Sequence, residues 1–173
     1  MKKIVISILV VLMLITFKEV SLGEKIIPNE AIRFRVLANS NSSSDQQVKE
    51  KVKEGLQSNM YALLEDTKSV DEARTIIKTN MTNLSHTIDA TLQDEDQDIT
   101  YTIDFGSHYF PSKVYKGIEY QAGNYESLLV KIGKGLGDNW WCVLFPPLCL
   151  LEAEEATDVE YKFFVQELID KFF

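Results

Sequence analysis

The sequence predicts an α+β fold: a single domain in which an antiparallel or mixed sheet is packed by two or three helices. Three observations carry this prediction. Segments with helical spacing and segments with strand alternation fall in separate runs, ordered strand, two helices, several hairpin-like strands, helix. The apolar period changes from 3.6 before the acidic stretch Asp94-Glu95-Asp96-Gln97-Asp98 to 2 after it. The 173 residues, 45% of them hydrophobic, suit one domain with its own core and are too apolar for a disordered chain.

Residues 1–23 read as a targeting segment that precedes the domain. Lys2-Lys3 is a basic start, and Ile4 to Phe17 is an apolar run interrupted only by Ser7 and Thr16. The run is shorter than the 18 or so residues of a spanning helix. Ser21 and Gly23 supply small residues for cleavage after Gly23. The alternative is an uncleaved anchor. Residues 24–31, with Pro28, read as a linker, and 32–173 as the exported domain.

Ile32 to Ala38 alternates Ile, Phe and Val against Arg, Arg and Leu, a strand with one apolar face. The Asn/Ser run 39–44 is a turn into a helix, with Ser43/Gln46 and Ser44/Gln47 both fitting a capping box. Val48, Val52, Leu56, Met60 and Leu63-Leu64 then form a helical stripe. Ser69 and Glu72 cap a second helix, whose stripe runs Val70, Ala73, Ile77, Met81, Leu84, Ile88 and Leu92. The two helices are expected as an antiparallel pair on one face of the sheet. Ile99, Tyr101, Ile103 and Phe105 mark a strand, Gly106 a turn, and Pro111 to Tyr115 a return strand. Ser127 to Ile132 is another strand, and Gly133 to Gly137 a turn. Thr157 and Glu160 cap a last helix with Tyr161, Phe164, Leu168 and Phe172 on one face, widened by Phe163, Val165, Ile169 and Phe173.

A net charge of -8 and no basic patch after residue 53 exclude a nucleic-acid binder, which needs clustered Lys and Arg. Gly133-x-Gly135-x-Gly137 is followed by an apolar run rather than a helix, so it reads as a turn and not a phosphate cradle. Asp104-Phe105-Gly106 is a chance match to a kinase triplet. His86 sits on the polar side of a helix and His108 at a turn, and no serine has nucleophile-elbow spacing. Two cysteines and two distant histidines fall short of a zinc site. No catalytic residues, metal or cofactor are therefore expected from these motifs; the acid clusters 94–98 and 152–155 read as solvated loops, with paired carboxylates for glycoside hydrolysis left open.

The stretch 137–150, GDNWWCVLFPPLCL, holds both tryptophans and both cysteines. As a strand it sends neighbouring side chains to opposite faces, so one of Trp140 and Trp141 enters the core and the other leaves it. Pro146-Pro147 cannot donate to a ladder, so the strand should end near Phe145. Cys142 and Cys149 are either bridged around an eight-residue loop or two buried thiols.

Asn139 to Cys149, NWWCVLFPPLC, resembles the signature of the stage II sporulation protein R family. Ile32 to Ser40 with Asp45-Gln46, Phe110 to Tyr115, and Ala122 to Tyr125 resemble other segments of that family. The resemblance covers roughly residues 26–151. It implies a signal and not an enzyme, with no small-molecule substrate, exported from the forespore into the space between forespore and mother-cell membranes, or held on the outside of the forespore membrane. There it would activate the membrane-embedded aspartic protease SpoIIGA, which processes pro-sigma-E. The residues expected to meet this partner are Asn139, Trp140, Trp141, Arg33 and Arg35. Contact with the membrane itself is expected only through an uncleaved N-terminal segment. The alternatives are an exported cell-envelope hydrolase and a wall-binding module.

Overall fold

A computed structural model describes residues 27–115, 118–150 and 158–173. The targeting segment and the expected Thr157 cap lie outside these residues. The described residues form six strands: β1 (Ile32–Leu37), β2 (Tyr101–Phe110), β3 (Lys113–Tyr115), β4 (Ile118–Tyr120), β5 (Gly123–Ile132) and β6 (Asn139–Phe145). Four helices accompany them: α1 (Ser43–Leu64), α2 (Val70–Thr79), α3 (Met81–Asp94) and α4 (Asp158–Phe172). The main sheet is mixed, in the order β2-β5-β1-β6, and β3 pairs with β4 as a separate two-stranded sheet. β1 runs parallel to β5 and antiparallel to β6.

Helices α1, α2 and α3 cover one face. Phe34 and Val36 of β1, and Leu128, Val130 and Ile132 of β5, meet Val52, Leu56 and Met60 of α1 and Leu84 and Ile88 of α3. Gly55 makes this close crossing. A Cβ there would lie 3.2 Å from Thr91 Oγ1 and 3.3 Å from Thr87 Cγ2. Asn59 Nδ2, one turn on, donates to Thr87 Oγ1 at 2.8 Å. Successive turns of α1 thus meet α3 in reverse order, which is the antiparallel arrangement expected.

Three local readings change. Ser42, not Ser43 or Ser44, caps α1: its hydroxyl accepts from Asp45 N–H at 3.1 Å. The single helix expected over 70–92 is two, because Asn80 leaves helical geometry at φ -103° and ψ 9°. Its stripe survives the break, since Ala73, Ile77, Leu84, Ile88 and Leu92 all remain buried. Gly106 is no turn but lies inside β2, which continues to Phe110. The strand at 113–115 consequently returns on β4 and not on β2. Ser69 caps α2 as expected, accepting from Glu72 N–H at 3.3 Å.

The second face of the sheet carries a smaller core. Ile118 and Tyr120 of β4, Val143 of β6, Leu148, and Val165 and Ile169 of α4 pack there with Ile27 and Ala31. Those last two belong to the stretch that read as a linker. Phe145, whose side chain joins the larger core, meets Phe172 of α4 with ring centroids 5.0 Å apart.

The turns after β1 and β5 are knitted together. Asn39 Oδ1 accepts from Lys134 N–H at 3.0 Å, and Gly137 N–H donates to the Ala38 carbonyl at 3.0 Å. Gly133 and Gly135 take positive φ, 53° and 63°. A Cβ on Gly137 would fall 2.2 Å from the Ser40 carbonyl oxygen, so the two turns approach as closely as backbone allows.

Candidate functional site

The register of β6 against β1 decides where each signature residue points. Asn139 stands opposite Leu37, Trp140 opposite Val36, Trp141 opposite Arg35 and Cys142 opposite Phe34. Alternation then sends Trp140 and Cys142 to the helix-covered face, and Asn139 and Trp141 to the second face. Arg33 and Arg35 share that second face. Four of the five residues expected to meet a partner are thus brought together, and Trp140 is separated from them. The Trp140 ring meets Phe34 edge-on at 5.5 Å, with Lys53 Nζ 5.5 Å above it.

Trp141 is wrapped by aromatic neighbours. Its ring is edge-on to Tyr120 at 5.3 Å and to Phe110 at 5.7 Å, and Lys113 Nζ lies 5.5 Å from it. Phe110 ends one edge strand and Trp141 belongs to the other, so the sheet coils across this face. The β3–β4 hairpin supplies Lys113 and Tyr120 and covers the tryptophan. Asn139, at the open end of β6, is exposed.

Inside the coil lies Arg33, with no exposed surface. Its Cζ is 3.4 Å from the Tyr125 ring centroid, 5.1 Å from Phe110 and 5.2 Å from Trp141. A guanidinium is the cation best suited to such stacking. Arg33 Nε and Nη1, and Arg35 Nε, are nevertheless buried with no hydrogen-bond acceptor among the described residues. Arg35 Nη1 donates to the Tyr109 carbonyl at 3.3 Å. Burial lowers the pKa of both arginines, and for Arg33 Tyr125 and Tyr120 oppose that shift. Arg33 is therefore a caged interior cation in this structure and not a solvent-facing charge.

The second half of the signature forms a clip. β6 ends at Phe145, as the proline pair requires, and Leu148–Leu150 form one 3₁₀ turn. That turn returns Cys149 to Cys142, with Cα atoms 5.6 Å apart and the sulfurs in contact. Gln57 Nε2 of α1 donates to the Cys149 carbonyl at 2.9 Å and ties the clip to the helix layer.

The signature Asn39-Ser40 has its own role. Asn39 Nδ2 and Ser40 Oγ both donate to Asp45 Oδ2, at 3.0 and 2.5 Å. The Ser40 contact first, then those from Asn39 and Ser42, hold the Asp45 carboxyl below its usual pKa. The segment orders the start of α1 beside the β5–β6 turn.

One constellation escaped the sequence reading. His108 lies in mid-strand, with Nδ1 2.7 Å from Ser127 Oγ and Nε2 3.0 Å from Asp104 Oδ2. Strand parity alone would have paired Asp104 with His108, had β2 been read through Gly106. Glycine leaves the gap between them: a Cβ there would meet Asp104 Oδ2 at 3.1 Å. The residue types are those of a hydrolase triad. Ser127, however, is fully buried, so its hydroxyl offers no approach to a substrate. His86 is exposed on α3, as expected. Among the described residues no group of His, Cys, Asp and Glu could hold a metal ion.

Comparison with known proteins agrees with this signature. The family model of stage II sporulation protein R matches residues 28–155. The chain is 36% identical over 171 residues to stage II sporulation protein R of Bacillus subtilis strain 168, covering 92% of this chain and 76% of that one. No solved structure matches. The match spans β1, the helix layer, the hairpin, the caged arginine and the cysteine clip, and on that extent the chain belongs to the stage II sporulation protein R family.

Proposed function

We propose that this protein is an exported signal that activates the membrane-embedded aspartic protease SpoIIGA and so starts processing of pro-sigma-E. The observation that carries the reading is family membership over most of the chain. The targeting pattern of residues 1–23 supports export. In that compartment Cys142 and Cys149 are bridged, since export favours disulfides. The domain acts by binding the extracytoplasmic side of the protease and preferring its active state; binding both states equally would shift nothing. Asn139, Trp141 and Arg35 provide the contact face, Arg33 lies caged directly beneath it, and Trp140 serves the core.

Reconstitution tests this. The chain is placed on the extracytoplasmic side of vesicles containing the protease, with pro-sigma-E on the other side. Cleavage that depends on the chain is expected, and none from a folded chain would sink the reading. The second reading, a cell-envelope hydrolase, is favoured by the Ser127–His108–Asp104 contacts. Ser127→Ala separates the two: a signal keeps full activation, and a hydrolase loses its turnover.

A further inference from the structure

The second face holds two arginines for which the described chain supplies no carboxylate. Arg33 Nε and Nη1 and Arg35 Nε are buried without an acceptor among the described residues. Unmet donors on buried cations are among the costliest features a fold can carry, and they are rare. Stacking on Tyr125, Phe110 and Trp141 stabilises the charge but satisfies none of these N–H groups.

The missing acceptor has a definite chemistry. A carboxylate is planar, offers two oxygens and matches the guanidinium fork. Longer polyanions are disfavoured by the chain's own net charge of -8. The apolar surroundings, with Trp141 beside the cations, suit a carboxylate carried on a protein surface.

The cover over this site shares no backbone ladder with the main sheet and is anchored through the buried side chains of Ile118 and Tyr120. β3 and β4 span three residues each and pair with each other, outside the four-stranded sheet. A two-stranded hairpin is marginal alone. This one is held over the site by side chains, with Lys113 and Tyr120 against Trp141.

We infer that Arg33 and Arg35 form a carboxylate-binding site for an Asp or Glu side chain of a protein partner, and that the β3–β4 hairpin moves to admit it. The inference rests on the partner-binding reading above and names its chemistry. In the closed state the hairpin and Phe110 partly cover Trp141. In the open state the incoming carboxylate accepts from the unmet N–H groups, and Trp141 becomes available to apolar atoms beside it.

The test uses the full chain in detergent micelles, with the arginine Nε–H resonances followed by NMR. The probe is an acetylated, amidated peptide bearing two glutamates; the control is its glutamine counterpart at equal ionic strength. Saturable downfield shifts of the Arg33 and Arg35 Nε–H signals with the glutamate peptide are expected. Arg35→Gln should abolish binding. Tyr120→Ala, which frees the hairpin, should tighten it by roughly tenfold by raising the open fraction. Shifts of equal size with the glutamine peptide, or none in either the wild type or Tyr120→Ala, overturn the site. Binding that Tyr120→Ala leaves unchanged overturns the hairpin's part in it. The readout contains no protease. A chain that binds the peptide yet activates nothing sinks the signalling reading alone, and activation unaffected by Arg35→Gln sinks the site alone.

Discussion

The two faces of the sheet are built on different principles. The helix face is apolar and closed: Phe34, Val36, Leu128 and Val130 meet Leu56, Met60, Leu84 and Ile88. The second face buries a cation among rings under a small hairpin and one helix. The first is what a stable core looks like; the second spends stability on something else. A buried charge without an ion partner is weak evidence for stability and better evidence for recognition.

Four measurements sharpen or break this contrast. The largest effect is expected on the helix face. Phe34→Ala deletes a fully buried ring at the centre of β1 and should cost about 3–5 kcal/mol in denaturant unfolding. Next comes the clip between the faces. Reducing Cys142–Cys149 releases an eight-residue loop, worth about 2.5 kcal/mol by chain entropy, and should lower the unfolding midpoint. On the second face the sign should reverse. Arg33→Met keeps much of the volume and removes the unmet cation, so stability should stay level or rise by about 1–2 kcal/mol while peptide binding is lost. A large loss of stability would show that the caged arginine is ordinary core and end the comparison.

The smallest effect is a pH dependence on the helix side. Tyr101 OH donates to the Ser85 carbonyl at 3.0 Å and to Asp89 Oδ1 at 2.8 Å. Burial first, then Asp89, pushes its pKa from 10.0 up to about 12. The folded state therefore holds this proton where the unfolded chain has released it. The resulting stability is complete below pH 10 and is lost as pH rises toward 12. Tyr101→Phe should flatten that part of the wild-type stability curve, and unchanged curvature would refute the assignment.

The helix face was legible in the sequence because periodicity reports burial. The stripes of α1 and α3, the Ser69 cap and the end of β6 at Phe145 follow from spacing, hydroxyls and proline chemistry. Strand parity also split the two tryptophans, leaving only the direction of each to the structure. The second face was less legible. Arg33 reads as a polar position in an alternating strand, and nothing local says that Tyr125 or Phe110 will cage it. Those contacts depend on the coiling of the sheet, a long-range property. Gly106 misled because glycine usually punctuates, whereas here it makes room between Asp104 and His108. Asn80 broke a helix without breaking its apolar stripe, so period alone could not show the break.

The position of β1 also has a kinetic consequence. β5 and β6 follow one another in the chain, joined by a short turn, yet β1 lies between them and pairs with both. The strand synthesised first thus finds both of its ladder partners near the other end of the chain. A chain that emerges N-terminus first, from a ribosome or through a membrane channel, can pair β1 with β5 only once Ile132 is out, and completes the four-stranded sheet only once Phe145 is out. Such long-range pairing folds slowly, because loop closure precedes any reward from contacts. The topology keeps the polypeptide threadable until nearly all of it has arrived.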